Sequence, residues 1–134
     1  MKTIVTEVTA NPSVRIYHTN VGITEVVLEI PKSAAGNSKW KKFMKPTVGN
    51  VLDNILLIDG VVAVRASYYS IDVQIGKAFA WEPIEMTILF ELSQLLKGDT
   101  GEEVGVSLDG KEFRALGDFE LWQVPESAET LASE

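Results

Sequence analysis

The sequence contains no cysteine and a single histidine among its 134 residues. Without thiols, the chain cannot form disulfides, thiolate metal sites, a self-ligated iron–sulfur cluster or a cysteine nucleophile. One histidine, His18, cannot build a histidine-rich metal site. No Gly-x-Gly-x-x-Gly or Walker-type loop is present, so nucleotide phosphates lack their usual binding loop. These absences predict no metal, no cofactor and no catalytic residue.

Long apolar runs are lacking too. No stretch approaches the roughly 20 apolar residues that cross a bilayer, and the first ten residues alternate rather than form the apolar block of a signal peptide. We therefore expect no membrane partner and, by default, a cytoplasmic location. The chain is 46% hydrophobic and 23% charged, which is typical of a folded globular protein.

Negative charge is concentrated at the end of the chain. Residues 1–97 hold 10 basic and 9 acidic residues, whereas residues 98–134 hold 2 basic and 10 acidic ones. This division predicts one domain over 1–97 and an acidic C-terminal extension of strands and frayed tail over 98–134. The acidic block is expected to be solvated, or alternatively to repel nucleic acid or mask a basic surface.

Periodicity predicts a sheet with two helices. Strands are expected where β-branched and polar residues alternate, at 4–9, 14–18, 25–30 and 71–75, and over the short apolar run 61–64, with Tyr68-Tyr69 as a turn. An apolar stripe from Val48 to Leu56 predicts an amphipathic helix with Thr47 as its N-cap. Trp81-Glu82-Pro83 opens a second helix, which ends at Gly98. Its buried apolar stripe is predicted to comprise Ile84, Ile88, Leu92, Leu95 and Leu96.

Further strands are expected in the extension. They flank the turn signal Asp109-Gly110 and continue over residues 119–124. Because most strands are joined by short turns, the sheet should be mainly antiparallel. The predicted fold is an α+β two-layer sandwich, with two amphipathic helices on one face and extra C-terminal strands.

Three short segments carry a family resemblance: Thr9-Ala10-Asn11-Pro12-Ser13, Ile58-Asp59-Gly60-Val61 and Trp81-Glu82-Pro83-Ile84. Their order and spacing over about residues 4–97 resemble the N-terminal domain of the Nfu/NifU-type iron–sulfur scaffold proteins. The resemblance implies a structural role for the motif residues Asn11, Pro12, Asp59, Gly60, Val61 and Trp81.

The chain departs from that family in two ways. The family holds its cluster in a separate C-terminal domain with a Cys-x-x-Cys pair, which this sequence lacks, and residues 98–134 are additional. The resemblance therefore implies a non-catalytic accessory module that binds iron–sulfur assembly or client proteins and cannot ligate a cluster through cysteine.

A lysine-rich segment over residues 39–45 also differs from the family. Within it, Trp40, Lys41, Lys42 and Phe43 are candidates for binding a partner protein, because aromatic residues are favoured interface anchors. Alternatively, the aromatic rings pack onto the core while the lysines stay in solvent. Nucleic acid binding is opposed by the net charge of −7.

Two other functions remain open from the sequence. A small enzyme using carboxylate or hydroxyl groups would require a deep pocket beside an acid with a strongly shifted pKa. An oligomeric structural protein would use an exposed sheet edge to pair with another copy.

Overall fold

A computed structural model describes residues 2–98, 104–108 and 114–115 of the chain. The strands are β1 (Lys2–Val8), β2 (Val14–Thr19), β3 (Leu28–Pro31), β4 (Val61–Ala66), β5 (Ser70–Ile75), β6 (Val104–Leu108) and β7 (Arg114–Ala115). The helices are α1 (Ser38–Lys41), α2 (Pro46–Leu56) and α3 (Trp81–Lys97), and a 3-10 turn covers Lys32–Ala34.

The strands form one seven-stranded sheet in the order β3-β4-β5-β2-β1-β6-β7. Every neighbouring pair is antiparallel except β1 and β6, which are parallel. Helices α2 and α3 contact each other, α2 contacts β4, and α3 contacts β1 and β6. The predicted α+β sandwich with a mostly antiparallel sheet is thereby confirmed. The predicted Asp109-Gly110 turn and the strand over 119–124 lie outside the described residues.

The core lies between the sheet and these two helices. Alternate strand residues face the helices, as expected for a sheet with one covered face. The sheet contributes the fully buried side chains of Ile4, Tyr17, Ile71 and Val73 to this core. The helices contribute those of Leu52, Ile55, Ile88 and Leu92. Each such aliphatic side chain contributes about 1.5–3 kcal/mol by leaving water.

Two local predictions were wrong. Helix α2 starts at Pro46 after Lys45, without a side-chain cap, so Thr47 is not its N-cap. Proline suits this first position because its fixed φ is helical and its missing N–H needs no acceptor. Strand β3 is shorter than predicted and ends on Pro31, which is tolerated because β3 is an edge strand.

Candidate functional site

A cleft of about 650 Å³ lies at the end of the sheet where β2 ends and the β4–β5 hairpin turns. Three segments line it: residues 22–25 after β2, residues 42–45 between α1 and α2, and the hairpin tip at 68–69. Phe43, Tyr68 and Tyr69 expose 63%, 54% and 60% of their surface. Large exposed rings gathered in one concave place are typical of a binding surface rather than of a solvated one.

The hairpin tip presents its two tyrosine rings from a fixed backbone. The Ser67 N–H donates to the Ser70 carbonyl at 2.9 Å, which closes the tip around Tyr68 and Tyr69. The Tyr69 carbonyl accepts from the Thr19 N–H at 2.8 Å, and the Tyr68 carbonyl accepts from the Ile23 N–H at 2.7 Å. Because these bonds hold the main chain, a partner that binds the rings orders little backbone.

The lysine-rich wall of the cleft divides into anchoring and exposed residues. Trp40 is buried, and its Nε1–H donates to the Ala34 carbonyl at 2.9 Å. The Lys41 Nζ lies 3.0 Å from Asp53 Oδ2 and 5.6 Å from the Trp40 ring centre. Only Lys42 and Phe43, of the four predicted partner-binding residues, line the cleft. Trp40 and Lys41 instead hold this wall in place.

Asp53 ties the wall to helix α2. Its side chain is buried, and it accepts hydrogen bonds from the Gly36 N–H at 2.7 Å and from Lys41. The Lys41 side chain also passes over Gly49 of α2, where an added methyl group would lie 3.3 Å from Lys41 Cγ. Sequence reasoning missed this role for Asp53, because its partners lie 12 and 17 positions away.

The cleft offers two lysines and one acid to a ligand. Lys42, Lys45 and Glu25 are exposed and line it. Among the described residues, neither of these lysines has an ion-pair partner. The aromatic surface is therefore bordered by positive charge, which favours a ligand with acidic groups.

A second polar cluster, built around Glu85, joins β2 to α3 under the protein surface. Glu85 Oε2 accepts from Arg15 Nη1 at 2.7 Å and from the Tyr17 hydroxyl at 2.9 Å. The Arg15 guanidinium lies 5.0 Å above the Trp81 ring. All four side chains thus share one contact network at the start of α3.

Burial raises the pKa of Tyr17 far above its usual value of 10.0, and the adjacent Glu85 carboxylate raises it further. The native state therefore keeps this phenol protonated where an unfolded chain would lose the proton. The stabilisation is full below pH 10 and is lost as the pH rises above it, by about 1.4 kcal/mol per pH unit. We expect urea unfolding to show a steeper loss of stability between pH 10 and 11 in the native sequence than in Tyr17→Phe. Parallel curves for the two proteins would contradict this.

The family-motif residues lie away from the cleft. The Trp81 Nε1–H donates to the Pro12 carbonyl at 2.8 Å, and the Asn11 side chain accepts from the Ser13 N–H at 3.0 Å. Gly60 has φ +100°, and its carbonyl accepts from the Gly76 N–H at 2.8 Å. Val61 is fully buried and Asp59 is exposed. Trp81 and Gly60 thus link two turns to the start of α3, and none of the motif residues lines the cleft.

The face of the sheet opposite the helices carries charged side chains. His18 Nε2 lies 2.6 Å from Glu7 Oε1, with both side chains about half exposed. Asp72 lies opposite Arg65 in the register of β5 and β4. Partial burial raises the pKa of Asp72, although Arg65 and His18 oppose the shift. Neither Asp72 nor Tyr17 lines the cleft.

Within the part of the chain that the structure describes, no three His, Asp or Glu side chains are placed to hold a metal ion, and no helix has the length and apolar character needed to cross a membrane. Comparison of the chain with protein-family models, curated proteins and solved structures gives no match.

Proposed function

We propose that this chain is a non-catalytic accessory module that binds a protein of iron–sulfur assembly, or a client of that assembly, through the cleft. The observation that carries the proposal is the set of exposed rings of Phe43, Tyr68 and Tyr69 beside Lys42 and Lys45. Aromatic anchors on a fixed backbone bordered by charge are the usual composition of a protein-binding hot spot.

The partner's chemistry follows from the lining. Apolar or aromatic side chains of the partner would bury the three rings, and acidic side chains would meet the two lysines. Tyrosine supports such contacts at low entropic cost, since only two side-chain torsions are fixed on binding. The ligand class is therefore a protein surface or segment that carries both acidic and apolar residues.

The iron–sulfur assignment rests on the motif resemblance. In the Nfu/NifU-type proteins, the cluster-holding Cys-x-x-Cys domain follows the N-terminal domain, whereas this sequence contains no cysteine. Such a domain on a second protein is the natural candidate partner. The contacts of Trp81 and Gly60 support a structural role for these motif residues. The cleft is therefore the surface proposed to bind the partner.

A titration tests this function. Isotope-labelled chain is mixed with an Nfu-type Cys-x-x-Cys domain from the same organism, both with and without its cluster, and amide shifts are followed. We expect saturable shifts confined to residues 22–25, 42–45 and 67–70. The double substitution Phe43→Ala with Tyr69→Ala should weaken binding at least about tenfold, because truncating a hot-spot ring costs about 2 kcal/mol or more.

Phe90→Ala is the matched control. Phe90 is a 46% exposed ring on α3 and does not line the cleft, so its loss should leave the affinity unchanged. Absence of saturable shifts with either form of the domain would overturn the iron–sulfur assignment. Shifts that spread away from the cleft, or equal losses in Phe90→Ala, would overturn the role of the cleft.

A further inference from the structure

The end of the described chain lies at the same end of the sheet as the cleft. In the sheet register, Ala115 is aligned with Gly105, and Gly105 with Thr3. The Thr3 N–H in turn donates to the Asn20 side chain at 2.8 Å, just after β2. Three strand spacings separate β7 from β2, a distance of about 15 Å. The chain therefore continues beyond Ala115 from a point close to the residues that open the cleft.

The remaining residues, 116–134, are long enough to reach that cleft. Nineteen residues follow Ala115, and an extended chain covers about 3.3 Å per residue. Five or six residues would thus bridge the gap from β7 to β2, and the rest would remain to occupy the cleft.

The chemistry of this segment complements the cleft. Residues 116–134 contain five acidic residues and no basic one, and Phe119, Leu121 and Trp122 lie among the first of these acids. The cleft presents exposed aromatic rings and the two lysines, Lys42 and Lys45, which lack ion-pair partners among the described residues. An acidic segment with apolar side chains is the same ligand class that the lining favours in a partner.

We infer that residues 116–134 of this chain bind its own cleft and compete there with the partner protein. The competition rests on the proposed function, because it requires a partner that binds the same cleft. Occupancy of the cleft by the chain's own segment then lowers the apparent affinity for that partner. If the segment fills the cleft nine-tenths of the time, the partner's apparent affinity falls tenfold. The acidic extension is then a regulator of access to the site.

The absence of cysteine makes the direct test simple. A single cysteine is introduced as Ser127→Cys in the full chain and labelled with a nitroxide, whose unpaired electron broadens nearby amide signals. At low salt we expect at least a twofold loss of intensity for the amides of Ile23, Lys45 and Tyr69. About 0.5 M salt should largely restore these intensities, because the Debye length then falls to a few ångströms.

Charge variants identify the contact. Lys42→Gln with Lys45→Gln should relieve the broadening at the cleft. Lys39→Gln with Lys77→Gln removes the same charge at exposed lysines outside the cleft and should leave it intact. No broadening at cleft amides, or equal relief by both pairs, would overturn the inference. A sample that mixes nitroxide-labelled chain with chain lacking the nitroxide gives a further test. Broadening of the cleft amides in the chain without the nitroxide would also overturn the inference, since the occupant would then be a second copy.

The competition with a partner is measured separately. Replacing Asp118, Glu120, Glu126 and Glu129 by their amides should abolish the broadening and raise the affinity for the Cys-x-x-Cys domain several-fold. Loss of broadening with unchanged, measurable affinity would overturn the competition. If the domain does not bind at all, the proposed function fails, whereas the spin-label result still decides whether the segment occupies the cleft.

Discussion

Glu85→Ala is expected to lower the free energy of unfolding by about 3–5 kcal/mol, the usual cost of removing one member of a buried ion pair. Glu85 is 8% exposed and accepts from both Arg15 and Tyr17. Its removal leaves a partly buried guanidinium without its carboxylate and a buried phenol without an acceptor. Each then loses hydration on folding without the hydrogen bond to Glu85 that offset this loss.

The consequences should extend along the contact network. Arg15 lies over the Trp81 ring, and Trp81 in turn donates to the Pro12 carbonyl. Loss of Glu85 therefore releases the start of α3 from β2 and from the turn before it. We expect increased hydrogen exchange at the first turn of α3 and around Pro12, with less change at its C-terminal end.

Urea unfolding of three proteins measures the effect. Glu91→Ala is the control, because Glu91 is a part-exposed residue on the same helix whose carboxylate accepts from Asn54 in an exposed hydrogen bond. It should cost under about 1 kcal/mol. Glu85→Gln keeps an acceptor oxygen and should fall between the two. A loss in Glu85→Ala no greater than in Glu91→Ala would show that the cluster does not stabilise the fold.

Glu85 also shows what sequence periodicity can and cannot predict. The stripe through Ile84, Ile88 and Leu92 predicted the buried face of α3 correctly. The structure buries Glu85, Leu89 and Ser93 as well, which form a second row with the same four-residue spacing. The four-residue spacing of this row was the available signal that Glu85 is buried. The signal is weak, because Leu89 is the only apolar member of the three. The binding partners of Glu85 are about 70 positions away, so no local pattern points to them.

In the sheet and the cleft too, local patterns were predictable from the sequence, whereas contacts between distant segments were not. Alternation predicted most of the strands, since each pattern is contained within a single strand. The parallel pairing of β1 with β6 joins segments about 100 positions apart, and no local turn signal marks it. The prediction that Tyr68 and Tyr69 form a turn is correct, but no sequence pattern predicts that they lie beside Phe43. That juxtaposition depends on three loops meeting at one end of the sheet.

Gly60→Ala is the second substitution with a large expected effect, about 2–6 kcal/mol of lost stability. Gly60 has φ +100°, where a side chain strains the backbone by about 1–3 kcal/mol. A methyl group there would also lie 2.6 Å from Phe79 Cδ1 and 2.9 Å from Ile84 Cδ1. Ile84 is buried in the core, so relieving these contacts requires its side chain to leave its packed rotamer and the Phe79 ring to move, at a further cost of about 1–3 kcal/mol.

Gly36→Ala separates the two contributions. Gly36 has φ +79°, and an added methyl group there would meet no atom within 4 Å. Gly36→Ala should therefore lose only the stability that corresponds to backbone strain. The difference in lost stability between the two variants then measures the cost of the close approach of the Asp59-Gly60-Val61 turn to α3. Phe79 is 44% exposed, and Phe79→Ala in the Gly60→Ala background should recover part of the loss. Equal destabilisation by Gly60→Ala and Gly36→Ala would mean that the turn needs glycine for its backbone conformation alone.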